Sequence, residues 1–228
     1  MIPQVYYDKL LIATGSSASV PPVKNLKDGK NVFVLRDIED AIAIDEKVKN
    51  SRSAVIIGGG LIGIDIAVEL LHRGLKIYII EMGENNLPLQ LDKRAAKTYE
   101  DELKRQGAKI FTGHLAKEAI LDNNRNFSGI ILDDQTKIKA DMAVVAAGVK
   151  ANANFIDGTK IKFDRGIVVD NRCQTDEDSI YAAGDVCAYK PGVWPLAVKQ
   201  GIVAAYNMAG HKKVIGDVFG LKNSMNFF

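Results

Sequence analysis

Gly58, Gly60 and Gly63 stand in the spacing G-x-G-x-x-G inside residues 53–67, SAVIIGGGLIGIDIA. Such a turn lets a diphosphate approach the backbone. The first glycine makes the tight turn, the second removes the side chain that would hold the phosphates off, and the third lets the following helix pack close to the strand. The helix N-terminus adds unpaired N–H donors and a partial positive charge. Glu81 follows Gly60 by 21 positions, at the end of the next apolar run. That offset suits a carboxylate accepting hydrogen bonds from an adenosine ribose. A carboxylate there repels a 2′-phosphate, and residues 82–92, MGENNLPLQLD, contain no Lys or Arg to hold one. The pattern favours NAD(H) over NADP(H).

Other chemistry-bearing residues are sparse. Cys173 and Cys187 lie 14 positions apart, which is neither a CxxC pair nor zinc-ligand spacing, so two free thiols are expected. His72, His114 and His211 are scattered, and no metal site is expected. The 228 residues carry 47% hydrophobic and 25% charged side chains, the composition of an ordinary globular protein. A formal net charge of +2 with no long basic run gives no footprint for nucleic acid. The most apolar segment, residues 54–71, is broken by glycines and carries Asp65 and Glu69, which a membrane span tolerates poorly. The N-terminus lacks a basic region and a cleavage site, so a cytoplasmic protein is expected.

Elements that could position the glycines are legible around them. Residues 54–57 read as a buried strand and residues 61–72 as a helix with Ile64, Ala67, Val68 and Leu71 along its buried stripe. Residues 76–80, KIYII, read as a strand buried on both faces and therefore parallel to the first. Together they make a βαβ unit. Upstream, residues 7–15 suggest a short strand ending at a glycine turn, and Pro21-Pro22 interrupt regular structure. Residues 37–49 predict a helix, with Ile38, Ala41, Ile42 and Asp45 at helical spacing. Downstream, a charged helix over 91–106 precedes short β-rich runs over 108–139, which suggest an antiparallel meander. A buried strand over 142–147 ends at Gly148. Strands over 166–170 and 179–183, a turn at Gly184-Asp185 and a helix over 195–210 complete the pattern. Domain boundaries are expected near residues 50 and 150.

The order of these motifs resembles the FAD-dependent pyridine nucleotide–disulfide oxidoreductase family, in the branch of NADH oxidases, rubredoxin reductases and nitrite reductases. The matching stretches are YDKLLIATGSSASVPPV (7–23), VIIGGGLIGIDIA (55–67), AVVAAGVKAN (143–152), QTDEDSIYAAGDVC (174–187) and WPLAVKQGIVAAYNMAG (194–210). The resemblance implies an α/β fold in which a Rossmann-like NAD(H)-binding domain, residues 51–150, is inserted into a partial FAD-binding domain, residues 1–50 and 151–228. It places NAD against Gly58, Gly60, Ile62, Gly63, Glu81 and Gly148, and FAD against Thr14, Gly15 and Asp185. In the family, the aspartate matching Asp185 accepts a hydrogen bond from the flavin's ribityl chain. The helix after Pro195 would point its positive end at the flavin ring. Trp194 resembles the rubredoxin and nitrite reductase branch. Asp65 departs from the glutamate that many relatives carry, and Ala151 from a common proline.

Only six residues precede the strand-like YDKLLIATG. The resemblance therefore implies an internal piece that lacks the FAD fingerprint and the C-terminal domain through which a homodimer would form. The expected parent is an NADH-dependent flavoprotein that passes hydride to FAD and electrons to a small redox protein, a small molecule or a fused domain. This piece alone is expected to bind NADH and to be inactive. No catalytic side chain is assigned, because the cofactors carry the chemistry. A thioredoxin-reductase-like enzyme expects a CxxC in the nucleotide domain, and residues 52–150 contain no cysteine. A non-catalytic NAD(H)-binding or redox-sensing module fits the glycines and Glu81 equally well.

Overall fold

Apolar runs with no polar face are stable as strands only where both sides of a sheet are covered. The computed structural model, which describes residues 4–188 and 192–216, uses three such runs as the middle of one sheet. In chain order the first elements are β1 (Leu10–Ile12), β2 (Ser16–Ala18), β3 (Val32–Val34), α1 (Ile38–Val48), β4 (Ser53–Ile57) and α2 (Leu61–His72). There follow β5 (Lys76–Glu81), α3 (Lys93–Arg105), β6 (Lys109–Thr112), β7 (Ala116–Leu121), β8 (Phe127–Leu132) and β9 (Lys137–Lys139). The last are β10 (Met142–Val145), β11 (Val149–Ala151), β12 (Ile180–Ala182) and α4 (Trp194–Met208).

The main sheet has the order β3-β10-β4-β5-β6, and every pairing in it is parallel. Alternate residues of its strands serve opposite faces. Ala54, Ile56, Ile77, Ile79, Met142 and Val144 pack with Ile44 of α1, Ile64 and Val68 of α2 and Leu103 of α3. On the other face, Val55, Ile57, Ile80, Ala143 and Val145 pack with Phe127, Ile130, Leu132 and Ile138 from the antiparallel β7-β8-β9 meander. Helices cover one side and the meander covers the other.

Local signals set the helix ends. Asp37 caps α1 in a reciprocal box: its carboxylate accepts from the Asp40 N–H at 3.0 Å, and the Asp40 carboxylate accepts from the Asp37 N–H at 3.4 Å. Asp92 caps α3 by accepting from the Ala95 N–H at 2.8 Å. α2 has no side-chain cap, because Gly60 occupies that position.

Residues Ala18–Gly148 form one compact unit, and the described residues before 18 and after 148 form another. The expected boundary near residue 50 is thereby corrected. β3 is an edge strand of the main sheet, registered Val32 to Ala143, and α1 packs on that sheet, so residues 18–50 belong with it. In the second unit, β1 and β12 form a parallel pair registered Leu10 to Ile180. β2 pairs with β11. α4 turns Leu196, Gln200, Val203 and Ala204 inward. The part of the expected 151–228 segment from residue 217 lies outside the described residues. None of the described helices is long and apolar enough to cross a membrane.

Three further expectations are corrected. β6 joins the main sheet in parallel with β5, so the meander starts at residue 116 rather than 108. Residues 166–170 form no strand: Ile167 makes only isolated bridges, to Phe163 and Cys187. Arg165 has φ +57°, and the Asp164 N–H donates to the Gly166 carbonyl, so the chain reverses there instead of extending a ladder. Finally, Ile38 and Ile42 of α1 are 66% and 56% exposed; the buried positions are Ile44 and Val48.

Candidate functional site

At the end of β4 the three fingerprint glycines have different reasons to be glycine. Gly58 has φ +115°, and a Cβ on it would lie 2.4 Å from the Ala146 carbonyl oxygen. A Cβ on Gly63 would fall 1.9 Å from the Gly58 carbonyl oxygen. The chain's own packing demands both. Gly60 has an ordinary φ of −78°, and no atom lies within 4 Å of its Cβ position. Nothing in the protein requires glycine there. What its absent side chain keeps open is the approach to the α2 N-terminus, where the first turn carries neither a cap nor an acidic residue. The residues thus fit a diphosphate.

Glu81, 8% exposed, closes the adjoining side. Its Oε2 accepts from the Gly59 N–H and its Oε1 from the Gly83 N–H, both at 2.7 Å. The carboxylate is fixed between two turns, and each oxygen retains a lone pair for a further donor. Lys93, the first basic residue beyond this segment, pairs with Glu84 at 3.8 Å. Ile62 is exposed on the first turn of α2. Gly148, φ +89°, follows the Ala146-Ala147 backbone against which Gly58 packs. Asp65 is exposed one turn further along α2, and partial burial pushes its carboxyl above the ordinary range.

Asn86 was not legible as part of this site. It is wholly buried, and its Oδ1 lies 2.0 Å from where a Cβ on Gly59 would be. Neither atom of its side-chain amide has a hydrogen-bond partner, a cost of about 1–3 kcal/mol. The Leu87 N–H donates to the Gly59 carbonyl at 2.8 Å, so this segment is tied to the glycine turn from behind.

The second unit builds a different turn. Gly15 has φ +68°. Asn152, just past β11, holds both its flanks: Thr14 Oγ1 donates to the Asn152 carbonyl at 2.6 Å, and Asn152 Nδ2 donates to the Thr14 carbonyl at 3.0 Å. The Asn152 N–H donates to the Gly15 carbonyl at 3.0 Å, and Ser17 Oγ to Asn152 Oδ1 at 2.7 Å. Between them, Ser16 Oγ donates to Asp185 Oδ2 at 3.0 Å. The Gly184 N–H donates to Gln200 Oε1 of α4 at 2.9 Å. A Cβ on Gly192 would lie 3.2 Å from Asp185 Oδ1. Thr14, Gly15 and Asp185 are thus brought together through three side chains that sequence reasoning did not assign: Ser16, Asn152 and Gln200. The group fits a polyol hydroxyl. The chain's one G-x-G-x-x-G turn lies in the other unit, so these residues supply no such cradle for a second diphosphate.

Cys173 and Cys187 are both buried. Burial pushes the Cys173 thiol up to about 11 and the Cys187 thiol up to about 12, which leaves no reactive thiolate near neutral pH. His114, Asp133 and Asp134 place one potential ligand atom each within 4.8 Å of one another, a cluster that only the fold reveals. Its groups serve local turns: His114 Nδ1 lies 3.1 Å from Asp133 Oδ1, Asp133 accepts from the Leu115 N–H and Asp134 from the Thr136 N–H.

The sequence profile described as "Pyridine nucleotide-disulphide oxidoreductase" matches residues 3–201. The chain is 35% identical over 210 residues to the NADH-rubredoxin oxidoreductase of Clostridium acetobutylicum, covering 91% of this chain and 51% of that one. It is 33% identical over 214 residues to the epsilon subunit of NADH-dependent phenylglyoxylate dehydrogenase from Aromatoleum evansii, covering 90% and 50%. An NAD-dependent persulfide reductase from A. fulgidus shares the fold with a TM-score of 0.83 at 29% identity, over 91% of this chain and 40% of its own. The chain spans about half the length of the two curated relatives.

Proposed function

The chain belongs to the pyridine nucleotide-disulphide oxidoreductase family, and we propose that it is the NADH-binding portion of an FAD-dependent oxidoreductase that hands electrons to a separate acceptor. The observation that carries this reading is Gly60: a glycine that neither backbone nor packing needs, at an uncapped helix N-terminus beside a fixed carboxylate. Gly60 admits the diphosphate, the α2 N-terminus binds it, and Glu81 accepts from the adenosine ribose and rejects a 2′-phosphate. Ile62 and Gly148 border the dinucleotide. Thr14, Gly15 and Asp185 face the flavin, with Asp185 accepting from its ribityl chain.

A flavin held against Thr14, Gly15 and Asp185 would supply the redox chemistry between reduced nicotinamide and the acceptor. No side-chain acid or base is needed for that transfer. The acceptor lies outside the chain, because both of its cysteines are buried with raised pKa values. A small redox protein as acceptor agrees with the similarity to an NADH-rubredoxin oxidoreductase. A reducing cytoplasm suits the free thiols.

The test is a visible spectrum of the purified chain, with FAD and then NADH added anaerobically, alongside calorimetry with NADH and NADPH. Tighter binding of NADH supports the nucleotide assignment, and equal affinities overturn it. Retained flavin that bleaches with NADH supports the oxidoreductase. NADH binding with no flavin retained, here and in a longer natural chain, would instead favour a non-catalytic nucleotide-binding module.

A further inference from the structure

The residues expected to touch a flavin do not hold themselves in place. Thr14 is exposed and Gly15 half-buried in an irregular segment, and a glycine offers the backbone many conformations. The restraint comes from Asn152, 138 positions from Thr14, through four hydrogen bonds that use its N–H, its carbonyl and both ends of its side-chain amide. Only an asparagine at this place donates to the Thr14 carbonyl while accepting from the Ser17 hydroxyl. Ser16 lies inside the clamped stretch and is buried, so its hydroxyl needs a partner. It finds Asp185 Oδ2 at 3.0 Å.

We propose that Asn152 and Ser16 are positioning residues: Asn152 sets the 14–17 turn, and the turn holds Ser16 where its hydroxyl orients the Asp185 carboxylate toward a hydroxyl of a polyol ligand. The ligand's identity as the ribityl chain of FAD rests on the function proposed above; the clamp itself does not. An aspartate at 152 keeps the acceptor for Ser17 and sets a charge against the Thr14 carbonyl. Loss of the Ser16 hydroxyl removes its hydrogen bond to Asp185 Oδ2 and leaves the glycine turn of the other unit untouched.

The experiment compares the 228-residue chain with Asn152→Asp, Ser17→Ala, Ser16→Ala and Ser16→Thr. Hydrogen exchange is read over residues 10–18, with residues 55–66 as the control. FAD affinity is read by quenching of flavin fluorescence, and NADH affinity by calorimetry. In Asn152→Asp, exchange over 14–17 rises about tenfold or more while the control stays unchanged, as expected for one lost hydrogen bond or more. Ser17→Ala, which removes a single bond and threatens the fold least, gives a smaller rise in the same place. Ser16→Ala weakens FAD about tenfold, Ser16→Thr restores it, and NADH affinity is the same in all. Unchanged exchange over 14–17 in both Asn152→Asp and Ser17→Ala overturns the clamp. Equal FAD affinity in Ser16→Ala and the parent overturns the Asp185 link. Where the 228-residue chain takes up no FAD, the same substitutions are read in the longer natural chain, and equal FAD affinity of Ser16→Ala and the parent there overturns the Asp185 link.

Discussion

The turn at residues 58–63 and the turn at residues 14–17 solve one problem, holding backbone ready for a ligand, by opposite means. The first is sterically determined. Gly58 and Gly63 are each forced by backbone oxygen atoms at 2.4 and 1.9 Å, all within the main-sheet unit. The second runs into β2, and beyond the β2-β11 pairing it is held by side chains reaching across 138 and 169 positions of sequence, with little steric compulsion: a Cβ on Gly15 would meet nothing within 4 Å. A sterically forced turn fails at once when violated. A hydrogen-bonded one fails by degrees.

The largest effect should come from the first turn. Gly63→Val drives a side chain into the Gly58 carbonyl and should cost more than about 4 kcal/mol, seen as loss of the cooperative thermal transition. A folded Gly63→Val protein would remove the contrast between the turns. Gly60→Val, three positions away, should keep the transition and lose NADH affinity by roughly a hundredfold, because the added methyls occupy the ligand's approach. Unchanged circular dichroism with unchanged affinity would contradict the role given to Gly60. Glu81→Ala should narrow the preference for NADH over NADPH by about tenfold, measured as a ratio of calorimetric affinities.

A smaller effect separates the units by pH. Burial pushes the Asp141 carboxyl up, but the Arg52 N–H and the Ser53 hydroxyl and N–H outweigh it and hold the group below its ordinary range. A folded-state pKa below the unfolded value of about 3.9 gives stability that is present above that pH and lost as the pH falls through the folded value. Asp141→Asn should flatten the acid limb of the denaturation curve by under about 1 kcal/mol, since the group is exposed. The smallest expected signal is chemical. Neither Cys173 nor Cys187 should react with a thiol reagent at pH 8 until the protein unfolds.

What was legible in the sequence follows the same division. The βαβ unit, the capping aspartates and the glycine spacing are local, and α2 and β5 lie where the periodicity puts them. The α1 helix was legible but its buried face was not, because Ile38, Ile42 and Ile44 are equally apolar and only the sheet decides between them. β6 read as part of a meander because a four-residue strand carries no sign of its partner. Asn86, Ser16, Asn152 and Gln200 gave no signal. A polar residue in a short turn looks like any other until distant chain segments close around it.

The order of the main sheet also sets a timetable for synthesis. Among the described residues β3 pairs in its sheet only with β10, whose residues follow about 110 positions later, and β10 must slot between β3 and β4. β1 likewise waits about 170 positions for β12. Late-arriving central strands are slow to place, and their waiting partners are exposed to association with other chains. The sheet that carries the glycine turn therefore closes before the Thr14–Ser17 segment can meet Asp185, so that in an emerging chain the first turn is complete well before the second.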